Sequence, residues 1–308
     1  HPIFELESFK EAVAQIASVK VTNCFISSDH AIEFDNSFVE YAPKDFSHFH
    51  YCCTGALAIE AALKVAIFYR RNKVSTSKPT ILSFDKSFHG INSWGCFATS
   101  RTGSNEKRLK SFPELFCKKI PHDLGEVKRQ LQEGNKTAVL VEPIQCTAGD
   151  FYQSPEFFMG LRGLCDEYDV PLIFDEIQVG FGTSGKKWYY QHLGMTPDII
   201  AFGKKTQLSG IMVRSKFSDL FNEPETLEVT WDATLIDMIR CNYIIKAYKD
   251  YDILSNVNLM GDHLSEGLMR IKGICNLRHC GLLFAFDIDE GRDIFLESAL
   301  NRGLLVNS

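Results

Sequence analysis

A chain of 308 residues, 45% hydrophobic and 23% charged, is long enough to bury a large core. Its net charge of -6, with no block of lysine or arginine, argues against nucleic acid and anionic membrane as partners and leaves small molecules. No apolar run reaches the roughly 18–20 residues of a membrane span, and the opening HPIFELESFKEAV lacks a basic-then-apolar leader, so the chain reads as cytosolic. The 10 cysteines include the adjacent Cys52 and Cys53 but no CxxC pair and no His/Cys ligand spacing, so reduced thiols are expected and a metal site is not.

In chain order, CCTGALAIEAALKVAIFY is a helical pattern apolar nearly all round, with Gly55 and Ala56 at its mouth. TILSF from Thr80 reads as a buried strand and is followed by SFHG, with Phe88 and His89; the loop Arg101–Lys107 reads as an ordinary turn or lid. AVLVE from Ala138 is a second strand. In SPEFFMGLRGLCDEY, Phe157, Phe158, Leu161, Leu164, Cys165 and Tyr168 recur at helical spacing behind the N-cap Ser154 and Pro155. VPLIFDE from Val170 and DIIAF from Asp198 are further strands. Apolar strands separated by amphipathic helices predict an α/β domain, a mostly parallel sheet with helices on both faces, over residues 1–230. From Trp231 the texture changes. LIDMIRCNYIIKAYKDY and LMGDHLSEGLMRI are helical patterns, then LLFAFDID and DIFLESALNRGLLV read as strand, helix and strand, predicting a smaller α+β domain over 231–308.

In open α/β sheets a ligand binds beyond the carboxyl ends of the strands, so the residues presented there carry the functional reading. The Val170 strand ends in FDEIQVGFG, with Asp175, Glu176 and Gln178, and the Asp198 strand ends in Lys204 and Lys205. A lysine pair at a strand end often does no more than reach solvent. Here it has company: a glycine at a helix mouth suits a phosphate, a lysine amine can join a carbonyl cofactor, a carboxylate can hold a pyridinium nitrogen, and an aromatic ring can stack on a heterocycle. Together these requirements belong to pyridoxal 5'-phosphate. Taken singly, Asp175 could cap the following turn, Phe88 could be core, and Gln178 and Thr230 could be polar turn residues.

EPIQCTAGDF, PEFFMGLRGLCDEYDVPLIFDEIQVGFG, PDIIAFGKKTQLSGIM and the VTW at Thr230 occur in the order found in the class III, fold-type I pyridoxal-phosphate aminotransferases. From about Tyr51 to Arg240 the chain resembles them, in particular the lysine ε-aminotransferase group. The resemblance implies a Schiff-base role for Lys204, Asp175 on the pyridinium nitrogen, Gln178 on the ring hydroxyl, Phe88 and Ile177 on the two ring faces, and the Gly55 and Ala56 N–H groups on the phosphate. It further implies that Thr230 serves the phosphate of a neighbouring subunit, hence a homodimer with shared sites, and it sets His89 and Glu142 near the cofactor. The implied reaction moves an amino group from an amine donor to an oxo-acid acceptor. An epimerase, aminomutase, decarboxylase or lyase of the same class, or an inactive relative, would share these motifs.

The departures fall on the substrate side. Where that group has an arginine after SFHG, this chain has Ile91; where it has a glutamate in EPIQGEGGD, this chain has Thr147; and TWGGN is TWDAT, with Asp232 and Ala233. Lysine is therefore not the expected donor. Cys146 is the thiol expected nearest the site. Members of the group begin before the opening HP and run past LLVNS to a carboxylate-binding arginine, so the sequence is expected to be a fragment or the ordered part of a longer chain.

Overall fold

The computed structural model describes residues 2–19, 27–71, 73–74, 80–100, 117–224, 226–288 and 291–306, and the loop expected at 101–107 lies outside them. In chain order the strands are β1 (His48–Cys52), β2 (Thr80–Phe84), β3 (Cys117–Ile120), β4 (Lys136–Val141), β5 (Ile144–Gln145), β6 (Phe151–Tyr152), β7 (Leu172–Asp175), β8 (Ile199–Phe202), β9 (Ser209–Val213), β10 (Ile274–Cys280) and β11 (Leu283–Ile288). The helices are α1 (Glu7–Ile16), α2 (Asp29–Tyr41), α3 (Gly55–Arg70), α4 (Gly95–Ala98), α5 (Leu124–Gln132), α6 (Pro155–Glu167), α7 (Ser218–Phe221), α8 (Leu235–Asp250), α9 (Ile253–Met269) and α10 (Arg292–Asn301).

Among the described residues the main sheet has the order β1-β9-β8-β7-β4-β2-β3. Strands β3, β2, β4, β7 and β8 are parallel, while β9 runs antiparallel to both of its neighbours, so the sheet is mostly but not wholly parallel. Every residue of β4, β7 and β8 is buried. Their continuous apolar runs follow from cover on both faces. On one face α3 lays Ala58, Ala62, Leu63 and Ala66 against Ala138, Leu140, Ile173, Ile199 and Ala201, its small side chains letting the helix lie close. On the other face Phe34, Phe38, Phe158, Phe174, Trp188 and Phe202 form an aromatic core, and Phe38 stacks on Phe202 at 5.0 Å. Truncating a buried ring of this kind to alanine costs about 3–5 kcal/mol.

Helix α6 starts where its sequence says it should: Ser154 accepts the Phe157 N–H at 3.3 Å and Pro155 takes the first helical position. Outside the main sheet, α8 packs against α1 and α2, α9 packs against β10, and β10 and β11 form a separate antiparallel hairpin. The hairpin turn meets the main body tightly. A Cβ on Gly281 would stand 2.6 Å from the Thr183 carbonyl oxygen, so only glycine fits that approach. The strand expected after α10 does not form: Leu304–Val306 pair with neither edge of the hairpin among the described residues, and Leu305 is 81% exposed. An apolar run without a partner strand has no ladder to join.

Candidate active site

Strands β7 and β8 pair Asp175 with Ala201, which sets the Asp175 carboxylate beside the chain that leaves β8 as Phe202–Gly203–Lys204. Asp175 is buried and its Oδ2 lies 2.8 Å from His89 Nδ1, while its Oδ1 accepts the Ile177 N–H at 3.2 Å. His89 comes from the turn after β2. That turn is fastened by Thr99, whose Oγ1 accepts the His89 N–H at 2.8 Å and donates to the Gly90 carbonyl at 2.8 Å. His89 Nε2 is buried with no protein partner.

Glu142, just past β4, accepts the Phe88 N–H at 2.7 Å. Burial, with the negative charge of Asp175 as a second cause, holds its pKa well above the usual carboxylate range. Glu142 thus favours its neutral form beside the anion that His89 and Ile177 orient.

Lys204 stands on left-handed backbone, φ 55°, in the 3-10 turn that follows β8. A side chain with a Cβ rarely adopts this conformation, and such outliers concentrate where function requires them. Its amine donates to Gln178 Oε1, and the neighbouring Lys205 donates to the Gln178 carbonyl. The Lys205 pKa is lowered to about 8, by burial first and by the like charge of Lys204 second.

Ile177 sits between two glycines. A Cβ on Gly55 would lie 3.0 Å from Ile177 Cδ1, and one on Gly203 would lie 3.4 Å from Ile177 Cγ2 and 2.7 Å from Ser209 Oγ. Gly55 opens α3, whose first turn is capped by Thr54 Oγ1 accepting the Leu57 N–H at 3.4 Å. Helix geometry leaves the Gly55 and Ala56 N–H groups without partners four residues back, pointing out of the helix mouth. Gly90, φ +107°, lies against Ala56 and links this mouth to the His89 turn.

The structure therefore gathers Gly55, Ala56, Phe88, His89, Glu142, Asp175, Ile177, Gln178 and Lys204 at the carboxyl ends of β2, β4, β7 and β8. Ile91 follows on the surface, 40% exposed. Thr147 lies in the turn between β5 and β6, its Oγ1 buried without a partner. Cys146, in the same turn, has its thiol pKa raised by burial first and by Asp150 second. Thr230 is exposed, near the helix mouth, because the Asp232 carbonyl accepts from Cys53 Sγ at 2.6 Å. Thr99 carries no sequence signal that would have singled it out. Among the described residues no group of three or more His, Cys, Asp or Glu could hold a metal ion, and no helix is long and apolar enough to cross a membrane. A hollow of about 250 Å³ beside Tyr69, Lys73 and Lys216 opens at the opposite end of α3 and takes no part in this arrangement.

A flat heterocycle with a phosphate fits these residues. The cradle at Gly55 would be filled by a Cβ, the helix mouth presents N–H groups to an anion, and the buried Asp175 carboxylate suits a ring nitrogen. Comparison with known proteins agrees. The profile of the family "Aminotransferase class-III" matches residues 7–308. The L-lysine-epsilon aminotransferase of Amycolatopsis lactamdurans is 30% identical over 284 residues, covering 81% of this chain and 63% of that protein. The acetylornithine aminotransferase of a Nostoc species is 32% identical over 276 residues, covering 83% of this chain and 64% of that one. The solved lysine aminotransferase of M. tuberculosis superposes with a TM-score of 0.90 at 26% identity, over 99% of this chain and 78% of that structure. The chain spans 63% and 59% of the lengths of two such lysine ε-aminotransferases. With the family profile matched over residues 7–308 and the fold superposing on solved members, this chain belongs to the class-III aminotransferases, of fold type I.

Proposed function

We propose that this chain holds pyridoxal 5'-phosphate through the Lys204 amine and works as an aminotransferase, moving an amino group from an amine donor to an oxo acid. The observation that carries the reading is Lys204 on its left-handed turn, with Gln178 at its amine and the buried Asp175–His89 pair on the adjoining strand end. Lys204 and Asp175 would do the chemistry. Asp175 would keep the ring nitrogen protonated, with His89 orienting its carboxylate. Phe88 and Ile177 would bound the ring faces, Gln178 would serve the ring hydroxyl, and the Gly55 and Ala56 N–H groups would hold the phosphate. The bound cofactor supplies a sink for the negative charge that develops on the substrate carbon.

Lys204 Nζ would move the proton at that carbon, a task for a neutral amine. Glu142, neutral and bonded to the Phe88 N–H, would fix the aromatic residue beside the ring without adding a second charge to Asp175. On the donor side, Ile91 and Thr147 bring no charge to meet a carboxylate, which favours ω-amines and diamines over lysine.

We read the chain as a large unit over 1–230 and a smaller one over 231–308 with α8 as the link, and the working form as a homodimer in which Thr230 reaches the partner's phosphate. The test is borohydride reduction followed by peptide mapping. The adduct is expected on Lys204; an adduct on Lys205, or none, overturns the reading.

A further inference from the structure

The turn between β5 and β6, which the proposed function sets on the donor side, is held from a distant part of the chain. It spans Cys146–Asp150 and closes on itself by long bonds, the Gly149 and Asp150 N–H groups donating to the Cys146 carbonyl at 3.2 and 3.4 Å. The flanking strands are two residues each, so the ladder offers little support. Both Gly149 and Asp150 are left-handed, φ 88° and 50°, a conformation uncommon for a residue with a Cβ though one aspartate tolerates better than most. What closes over this turn is Arg278, from β10. Its Nε donates to the Gly149 carbonyl at 3.0 Å and the Asp150 carbonyl at 3.2 Å, and its Nη2 donates to Gly149 at 2.6 Å. The far side of the guanidinium is fixed by the Asn276 carbonyl at 2.6 Å and by Asp287 Oδ1, from β11, at 3.2 Å.

We infer that Arg278 is a positioning residue: it clamps the turn that carries Thr147 on the donor side and thereby ties the geometry of the site to the β10–β11 hairpin. A planar fork with five N–H donors can hold two successive carbonyls and a carboxylate at once; a lysine, with one compact charge, cannot. The Arg278–Asp287 pair alone would be a surface ion pair of little energetic consequence, Asp287 being half exposed. The three contacts to the turn give the arginine its role. They also explain how a turn with an unpartnered buried Thr147 hydroxyl and two left-handed residues persists in one conformation. The turn's place near the chemistry follows from β5, which begins two residues after Glu142 and whose Gln145 Nε2 donates at 2.9 Å to the Asp85 carbonyl, at the head of the turn that carries Phe88 and His89.

The donor-side half of this inference rests on the function proposed above; the clamp does not. Hydrogen exchange by mass spectrometry on the purified protein tests the clamp directly. In Arg278→Ala the amides of Gly149 and Asp150 should exchange about tenfold faster or more, since charge-assisted bonds are lost from one side of the turn. Exchange through β4 and α6 should not change. Arg278→Lys should fall between, and it carries the test if the alanine variant does not fold. Unchanged exchange at Gly149 and Asp150, or a rise spread equally over β4, overturns the clamp. On the same samples, single-turnover reaction with ω-amine donors should show the half-saturating donor concentration rising about tenfold, with the maximal rate and the absorbance of the lysine-bound cofactor little altered. Adding Thr147→Ala to Arg278→Ala should then cost little more, because both changes act through one turn. Full additivity, or an unchanged donor dependence beside a loosened turn, overturns the positioning role. A protein that carries no cofactor at all counts against the proposed function and leaves the exchange result to decide the clamp.

Discussion

At the scale of single residues, Asp175 is held from two sides, by His89 at 2.8 Å and the Ile177 N–H at 3.2 Å, so an asparagine in its place keeps the shape and loses only the charge. Asp175→Asn is expected to retain the cofactor by absorbance while the proton-transfer rate falls roughly a hundredfold or more, the usual scale for removing one preorganised charge. Near-normal turnover would show that Asp175 is not the ring-nitrogen partner. Ile91 poses the opposite experiment. It is 40% exposed, so Ile91→Arg can be accommodated without disturbing the core. An arginine there offers a charge-assisted contact to a donor carboxylate, and at a half-open position we expect it to raise reactivity toward lysine about tenfold relative to putrescine. A donor panel of lysine, ornithine, 4-aminobutyrate and putrescine, read by single turnover, checks both sides. If the unmodified protein already reacts fastest with lysine by a wide margin, Ile91 and Thr147 do not set the choice of donor.

At the scale of elements, the buried strands β2, β4, β7 and β8 and the capped helix α6 were readable because each shows a continuous apolar run or a helical period with its own start signal. Strand β1, HFHYC, was not, since all its residues but Cys52 are half-buried and two are histidines. Nor was the reversal of β9, which is set by the turn at Lys204–Leu208 with left-handed Lys204 and Gln207, a backbone choice no side-chain pattern encodes. The strand ends and the helix mouth offered Gly55, Ala56, Phe88, His89, Asp175, Gln178 and Lys204 as candidates, and family resemblance supplied their expected roles; the contact of His89 with Asp175, or of Arg278 with Gly149, depends on long-range packing. Glu176 shows what that packing does to chemistry. Just after β7, it is fully buried and accepts the Tyr189 and Tyr190 N–H groups at 2.7 and 2.8 Å, yet burial, outweighing these bonds, pushes its pKa up to about 7. A carboxyl raised on folding takes up protons in the native state, so its contribution is fully present below the unfolded value of about 4.5 and is lost as pH rises through about 7. The shift corresponds to at most about 3 kcal/mol. Measured by denaturant unfolding between pH 4 and 8, the stability of the unmodified protein relative to Glu176→Gln should fall across that window and then level off. A flat difference would mean that Glu176 stays ionised throughout.

At the scale of the whole molecule, large apolar side chains collect on the surface around the first two turns of α3: Leu57, Ile91, Trp94, Val229 and Trp231 are 40–50% exposed. Three contacts bring them together there, Gly90 against Ala56, the Ser93 hydroxyl on Glu60, and Cys53 on the Asp232 carbonyl. Exposed apolar side chains grouped in this way beside the proposed site suit an interaction surface, and an isologous dimer is the commonest occupant. The patch surrounds the helix mouth, so two copies joined there would bring each Thr230 toward the other's Gly55 and Ala56. We therefore expect sedimentation to give a dimer for the unmodified protein and a monomer for Trp231→Asp, which sets a charge where the partner's apolar surface would lie. Cofactor retention should separate the two parts of this expectation. Thr230→Ala should stay dimeric but release the cofactor about tenfold more readily, the scale of one lost hydrogen bond to a charged group. The Trp231→Asp monomer should lose it at least as readily, because it gives up the same hydroxyl along with the rest of the partner's surface. A monomer that keeps its cofactor as tightly as the dimer would show that each site is complete within one chain, and that the apolar patch serves something other than a shared site.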